Sequence, residues 1–332
     1  MKVIVIGGGA AGMQAAATLR GLGVEPVIVE KEMRLGGKLT RWHKLFPSFT
    51  PAGDVLGELE KGVDGIEVMR GIVVDDVDGR GVTLAGGRRL DADAVIVATG
   101  FDLFRAELKE EYGYGIYDNV YTSVDVEDML NGGGVRMKDG SEPRRIAFLH
   151  CVGSRDEKVG QRHCSRVCCI TAVKQAMELK EMFPGAEVYN FYMDIRMFGP
   201  GYEEMYRRAQ EEFNVHFVRG RISEAGETID KRVQIKAEDT LIGRPLKMTV
   251  DMLVLVVGMV EGASNRRFAA NPAVALQDSG FVAPRDPFVN NIRSGTENIF
   301  YAGAVTAPKN IGESINEGTA AALKAVEYLR SL

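Results

Sequence analysis

The 332-residue chain has no cysteine outside one window of nineteen positions, which holds Cys151, Cys164, Cys168 and Cys169. It has no long basic block, and its formal net charge is −5, which argues against the basic footprint of a nucleic-acid-binding protein. It lacks a long apolar run as well. The strongest, "MLVLVVGMV", is about half of the roughly 20 residues that a membrane helix needs. The opening "MKVIVIGGG" is too short and too glycine-rich for the apolar stretch of a secretory signal, and no cleavage site of small residues follows. Together these absences predict a cytoplasmic protein with no transmembrane segment and no nucleic-acid partner. In such a reducing setting, clustered cysteines more often bind metal or do redox work than form structural bridges.

What is present is an ordinary soluble mixture, 45% apolar and 26% charged, with 39 glycines. That glycine content suits a fold with many tight turns and close backbone approaches to ligands. The length suits two domains, or one with a large insertion. "KVIVIGGGAAGMQAAATLRGLGVEPVIVEKE" reads as strand, glycine turn, alanine-rich helix and second parallel strand. A small antiparallel excursion leads to another buried strand, Val95–Ala98. The loop "NGGGVRMKDGSEPRR" reads as a boundary, and "RIAFLHCVGS" begins a second unit in which helices and strands alternate. The close, "NIFYAGAVTAPKNIGESINEGTAAALKAVEYLRSL", is a strand, a loop and a long helix. The pattern predicts a doubly wound α/β fold whose first and last segments join in one domain.

Gly7-x-Gly9-x-x-Gly12 follows a strand and opens a helix. Gly7 permits the tight turn, Gly9 lets a pyrophosphate approach the backbone, and Gly12 lets helix and strand pack closely. The N–H groups at the helix start, around Ala10 and Ala11, face the anion. Glu30, eighteen positions beyond Gly12, can accept hydrogen bonds from ribose hydroxyls. The segment continues through Lys31 to Gly36, Gly37 and Lys38, which resembles the extended FAD fingerprint of flavoproteins with two dinucleotide-binding domains. "DADAVIVATGF" resembles their second motif, with Ala98, Thr99 and Gly100 beside the cofactor. "NIFYAGAVTAPKNIGESINEGTAAAL" resembles their third, where the helix beginning near Ile311 aims its positive end at the flavin pyrimidine. Those flavoproteins usually carry Gly-Asp where this chain has Gly303-Ala304. Lys38 and Lys309 read either as flavin neighbours or as solvated lysines.

A flavoprotein of this kind usually continues with a second glycine fingerprint for NAD(P)H. Here the strand "RIAFLH" is followed by "CVGSRDEKVG", so glycine phosphate-turn chemistry is absent and Cys151 takes the place of the first glycine. The spacing is Cys-x12-Cys-x3-Cys-Cys. If the helix begins at "CSRVCC", Cys164 and Cys168 fall at i and i+4 on one face. Four thiolates gathered in this way hold an iron–sulfur cluster or zinc, or act as a redox dithiol. A bridge between Cys168 and Cys169 is geometrically poor, because neighbouring Cα atoms are about 3.8 Å apart.

"CVGSRD", "HCSRVCC", "YMDIRMFGPGYEEMYRRAQEEFNVHFVRGR" and "AGAVTAPKNI" resemble the A subunit of heterodisulfide reductase over nearly the whole chain. The resemblance implies a thioredoxin-reductase-like core with FAD, and a [4Fe–4S] cluster on Cys151, Cys164, Cys168 and Cys169. It implies an FAD domain of residues 1–106 and 285–332, with an inserted lobe, 107–284, that carries the cluster instead of a nicotinamide. Larger members have a further cysteine-bearing segment and ferredoxin domains, for which no CxxCxxC occurs here. This chain is closer to the short A subunits of heterodisulfide-reductase-like complexes in sulfur-oxidising microbes, implied to handle lipoate-bound sulfur. The implied partners are B- and C-type iron–sulfur subunits, with a homodimer also open. Competing readings are a free-standing NAD(P)H-dependent disulfide reductase using a cysteine pair, and a scaffold whose FAD is structural.

Overall fold

The computed structural model describes all residues, Met1–Leu332. β-Branched runs buried on both faces produce two parallel sheets, one in each of two units. The first unit comprises Met1–Thr40, Ala52–Asp102 and Val260–Leu332; the second comprises Arg41–Pro51 and Leu103–Met259. The chain therefore divides at Asp102 and Val260 rather than at 106 and 285. Residues 260–284 side with the first unit because Phe268, Val274 and Val282 pack into its core with Ile4, Ile6 and Val77. Arg41–Pro51 sides with the second because Phe46 and Phe49 pack against that core.

In the first unit the strands run in the order Ile299–Tyr301, Ala94–Val97, Lys2–Ile6, Glu25–Val29, Glu67–Met69, all parallel. The central strand Lys2–Ile6 connects outward in one direction through the helix Ala10–Gly21, while Ala94–Val97 lies on its other side. The order thus reverses at the carboxyl end of Lys2–Ile6, the switch point at which such sheets bind ligands. The expected antiparallel excursion is a three-stranded sheet of Val74–Asp78, Gly81–Leu84 and Arg89–Asp91. The C-terminal helix Ile311–Leu329 lies close on the first helix, where a side-chain carbon at Gly318 would stand 2.4 Å from the Ala11 carbonyl oxygen.

The second unit repeats the layout. Its strands run Val120–Thr122, Met252–Val257, Arg145–Val152, Glu187–Tyr192, His216–Arg219, again all parallel. Arg145–Val152 takes the place that Lys2–Ile6 takes in the first sheet, and its carboxyl end is the second switch point. An antiparallel sheet of Ile222–Glu227, Val233–Asp239 and Arg244–Val250 completes the unit. No motif in the sequence announced these three strands.

A charged cluster is buried beneath the helix Cys168–Met182. Lys174, only 2% exposed, donates to Glu127 Oε1 at 2.5 Å and to the Lys44 carbonyl at 3.0 Å, and lies 3.2 Å from Glu178 Oε2. Glu127 also accepts from Gln175 Nε2 at 2.6 Å and from the His43 N–H at 2.8 Å. The His43 ring meets Glu178 Oε1 at 2.8 Å. These bonds, with the Arg41–Asp128 ion pair, tie Arg41–Pro51 to two helices of the second unit. Lys174→Met takes the cation from between two buried carboxylates. The expected cost is about 3–5 kcal/mol, read as a lowered urea midpoint with an unchanged slope.

Candidate functional site

The glycine turn is built as its spacing requires. Gly7 has φ +97, and a side-chain carbon there would stand 2.6 Å from the Ala98 carbonyl oxygen. One at Gly12 would stand 1.8 Å from the Gly7 oxygen, so only glycine lets this helix approach its strand. Gly9 precedes Ala10 at the helix start with no side-chain cap, and no acidic residue lies in the first turn. The N–H groups of Ala10, Ala11 and Gly12 therefore head the helix as an anion site. The Gly37 backbone lies against Gly9, where a side-chain carbon would meet Gly9 Cα at 3.2 Å, and Gly36 N–H donates to the Gly8 oxygen at 2.8 Å.

Glu30 is 5% exposed. Its Oε2 accepts from Gly8 N–H at 2.6 Å and its Oε1 from Glu32 N–H at 2.9 Å. Two backbone donors fix the carboxylate at the turn and leave acceptor capacity for hydroxyl groups. Thr99, beside the turn, has a buried hydroxyl without a partner. A cradle of glycine backbone, a fixed carboxylate and an orphan hydroxyl fit a dinucleotide. Lys31 faces solvent beside Glu32. Lys38 stands 3.6 Å from Asp102 Oδ1 and 4.9 Å above the Phe101 ring. Gly100 adopts φ +71.

In the third motif Gly303 adopts φ +75 and Ala304 is buried. The sequence lacks an aspartate here, but the structure brings in a different carboxylate. Gly303 N–H donates to Glu317 Oε2 at 3.0 Å. Lys309, largely buried, donates to the Gly303 oxygen at 3.2 Å and to Thr306 Oγ1 at 2.5 Å, and lies 3.4 Å from Glu317. Sequence reasoning missed Glu317; a lone glutamate in the small-residue run "NEGTAAAL" was the available signal. The helix beginning at Ile311 is capped by a reciprocal pair, with Asn310 Oδ1 accepting from Glu313 N–H at 2.8 Å and Glu313 accepting from Asn310 N–H at 2.9 Å.

In the second unit the cysteines surround the switch point. Cys151 lies in the strand Arg145–Val152 at φ +60, where the register with Met252–Val257 shifts. The helix starts at Cys168, with Cys169 next, and Arg166 before it adopts φ +60. Cys164 is therefore on a loop, which corrects the expectation that it shares a helix face with Cys168. A left-handed residue between them breaks the helical path. The loop is locked at its base. Ser165 N–H donates to Ser154 Oγ at 3.0 Å, Met259 N–H to Ser165 Oγ at 2.8 Å, and Asp156 holds Lys109 and Arg221 at 2.9 and 2.8 Å.

All four cysteines are unbridged, and only Cys164 is partly exposed. Burial, then the neighbouring Cys169 and Cys164, pushes the Cys151 thiol up to about 12. Burial pushes Cys168 well above its ordinary value, with Cys151 and Cys169 adding to it. Cys169 is raised chiefly by burial and lowered by Arg196 and Arg155. The thiols of Cys151, Cys168 and Cys169 thus lie within the fields of neighbouring cysteines. The Arg155 Nη1 group is buried and has no partner, within the fields of Cys151 and Cys164. Four thiols beside a guanidinium whose buried Nη1 has no partner, while its Nη2 pairs with Asp194 at 2.8 Å, are a donor set that suits a bound anionic cluster.

Burial raises the Glu317 carboxyl above its ordinary 4.5, against the pull of Lys309 and the Gly303 N–H. The folded state then holds this proton more tightly than the unfolded state does. Its stabilising contribution is complete below about pH 4.5 and is lost as pH rises through the folded value. Glu317→Gln keeps an acceptor for Gly303 but cannot ionise. The variant is expected to gain stability relative to wild type between about pH 4 and 7, measured by parallel urea titrations; a difference that does not vary with pH would contradict the assignment.

Residues 1–131 match the family model for pyridine nucleotide-disulphide oxidoreductase. The chain is 42% identical over 243 residues to the iron–sulfur A subunit of a CoB–CoM heterodisulfide reductase from Methanocaldococcus jannaschii, covering 70% of this chain and 37% of that one. It is 31% identical to a second such A subunit, from Methanopyrus kandleri, covering 99% of this chain and 64% of the relative. The chain thus spans between about a third and two thirds of the length of these relatives. That second alignment, 421 positions long, is longer than this chain, so the relative carries inserted residues. Among solved structures, thioredoxin reductases of T. acidophilum and Lactococcus lactis superpose with TM-scores of 0.69 and 0.70 at 18% identity, covering 99% and 100% of this chain and 98% and 99% of theirs. No helix is long and apolar enough to cross a membrane. By these likenesses the chain has the thioredoxin-reductase-like fold, and over nearly its whole length it is similar to heterodisulfide reductase A subunits.

Proposed function

We propose that this chain is a flavin- and iron–sulfur-bearing electron-transfer subunit of a heterodisulfide-reductase-like complex. FAD would lie on the glycine turn of the first unit, and a [4Fe–4S] cluster would be held by Cys151, Cys164, Cys168 and Cys169. The observation that carries this reading is the content of the second switch point. Where a nicotinamide-binding unit would present glycines, this one presents four cysteines and the unpartnered Nη1 of Arg155. A four-iron cube takes one thiolate at each corner, and four cysteines at one strand end supply that number of ligands.

When bound, FAD exchanges electrons in pairs or singly and a four-iron cluster exchanges them one at a time, so the two together can couple both kinds of transfer. The chain's own residues do the positioning. Glu30 accepts from ribose hydroxyls, and the Ala10–Gly12 N–H groups bind pyrophosphate. The capped head of the Ile311 helix and Lys309, steadied by Glu317, bring positive charge to the flavin's pyrimidine edge. Arg155 offsets thiolate charge, while burial of Cys151, Cys168 and Cys169 keeps water from the site. The relatives' names specify the CoB–CoM heterodisulfide, and a disulfide or thiol-bound sulfur compound is the corresponding substrate class here. The partners would be B- and C-type iron–sulfur subunits, and the setting cytoplasmic.

Anaerobically purified protein is expected to be brown, with about four irons and one flavin per chain. Cys168→Ser with Cys169→Ser is expected to lose the iron and keep the flavin, as read by iron assay and absorbance. NADH or NADPH alone should not bleach the flavin rapidly. An iron-free yellow protein, before and after anaerobic reconstitution, would overturn the cluster assignment; fast bleaching would favour the free-standing disulfide reductase.

A further inference from the structure

One buried ion pair lies between two of the segments that line the first switch point. Lys309 and Glu317, with side chains only 11% and 15% exposed, stand 3.4 Å apart. Both are fixed by the same glycine. Lys309 Nζ donates to the Gly303 oxygen at 3.2 Å, and Gly303 N–H donates to Glu317 Oε2 at 3.0 Å. Gly303 in turn is seated against the head of the first helix, where a side-chain carbon would meet Ala11 Cβ at 2.8 Å. Glu317 directly precedes Gly318, the point at which its own helix touches the Ala11 carbonyl. The pair therefore stands beside the N–H groups assigned to pyrophosphate and the helix head assigned to the flavin's pyrimidine edge.

The groups around Glu317 come from three elements. Its own helix, Ile311–Leu329, contributes Glu313, a charge of the same sign. The first helix contributes the neutral Gln14, which donates to Thr319 Oγ1 at 3.0 Å, and has no acidic residue in its first turn. The loop between strand and helix contributes Lys309 and the Gly303 N–H. With Glu317 ionised the pair is neutral; with Glu317 protonated it carries one positive charge, on Lys309. Burial, reinforced by Glu313, already raises this carboxyl above 4.5 against the pull of Lys309 and Gly303. A further negative charge nearby drives it upward again.

We propose that Glu317 takes up a proton when a flavin bound at this site is reduced, which leaves the Lys309 charge free to face the flavin's new negative charge. The proposal rests on the reading that FAD occupies the first unit. Two electrons and one proton convert the oxidised flavin to its reduced form, with the proton on N5 and a negative charge on the pyrimidine edge. A second proton, also from solvent, goes to a Glu317 carboxylate oxygen. The sum is two electrons from an external reductant and two protons, with no bond between heavy atoms formed or broken. Glu317 acts through Lys309, as a positioning residue rather than a catalytic one.

The test is an anaerobic redox titration of the flavin in the full-length protein, with dithionite and mediator dyes, from about pH 6 to about pH 8. Each proton taken up per two electrons changes the reduction equilibrium about tenfold per pH unit, or about 30 mV for a two-electron couple. Wild type is expected to approach a change of about a hundredfold per pH unit, about 59 mV, within this range. Glu317→Gln is expected to keep the tenfold slope. The two midpoints then converge at low pH, and wild type falls below the variant as pH rises. A reduced-minus-oxidised infrared spectrum of wild type reads the same event without a variant, as a protonated-carboxyl band that appears on reduction. Flavin content is assayed in each preparation. Equal pH slopes in flavin-bearing wild type and variant would overturn the proposal, as would the absence of that band. A wild type without flavin overturns instead the FAD reading on which the proposal stands.

Discussion

A parallel sheet whose connections leave its central strand in opposite directions opens a gap at the carboxyl end of that strand, and the backbone around the gap must accept close approach. Both sheets of this chain obey that constraint. In the first, Gly7 and Gly12 admit a carbonyl where any side chain would collide. In the second, Cys151 takes a positive φ that non-glycine residues seldom adopt, and the neighbouring Gly153 leaves room for the Phe104 ring. One architecture, used twice, thus provides two sites of different chemistry. Backbone donors and one fixed carboxylate line the first; sulfur and guanidinium line the second.

Burial sets the chemistry in each. Two backbone N–H groups fix the Glu30 carboxylate in place, whereas burial pushes the Glu317 carboxyl upward despite a lysine and one N–H beside it. The cysteines lie at the extreme of this behaviour. Buried near one another, Cys151, Cys168 and Cys169 resist ionising on their own, and a bound cation-rich centre would remove that cost. Asp156, held by Lys109 and Arg221, fixes the loop that carries Cys164.

Much of this was legible in the sequence. The glycine spacing, Glu30 and the β-branched runs located the first switch point, and the missing glycines after "RIAFLH" located the second. The rest required distances that a linear chain does not reveal. Cys164 and Cys168 have helical spacing, yet the left-handed Arg166 between them keeps Cys164 off the helix. The strand "VQIKAED" places lysine and glutamate on the exposed face of a half-buried sheet, and no motif beside it marked the sheet. Residues 260–284 contain few long apolar runs, and their allegiance rests on single anchors such as Phe268. Glu317 substitutes for a carboxylate expected thirteen residues earlier, at 304, through one turn of the backbone at Gly303.

The short segment Arg41–Pro51 separates chain order from structural order. It follows directly on Gly37 and Lys38, yet its aromatic rings and its His43 belong to the lobe that begins at Leu103. Excising that lobe as one continuous piece would leave Lys174 without its Lys44 carbonyl and Glu178 without its imidazole. The second unit is therefore a domain in space but not a module in the gene: a recombination event or an expression fragment cut at residues 103 and 259 would carry away a lobe missing part of its own interior.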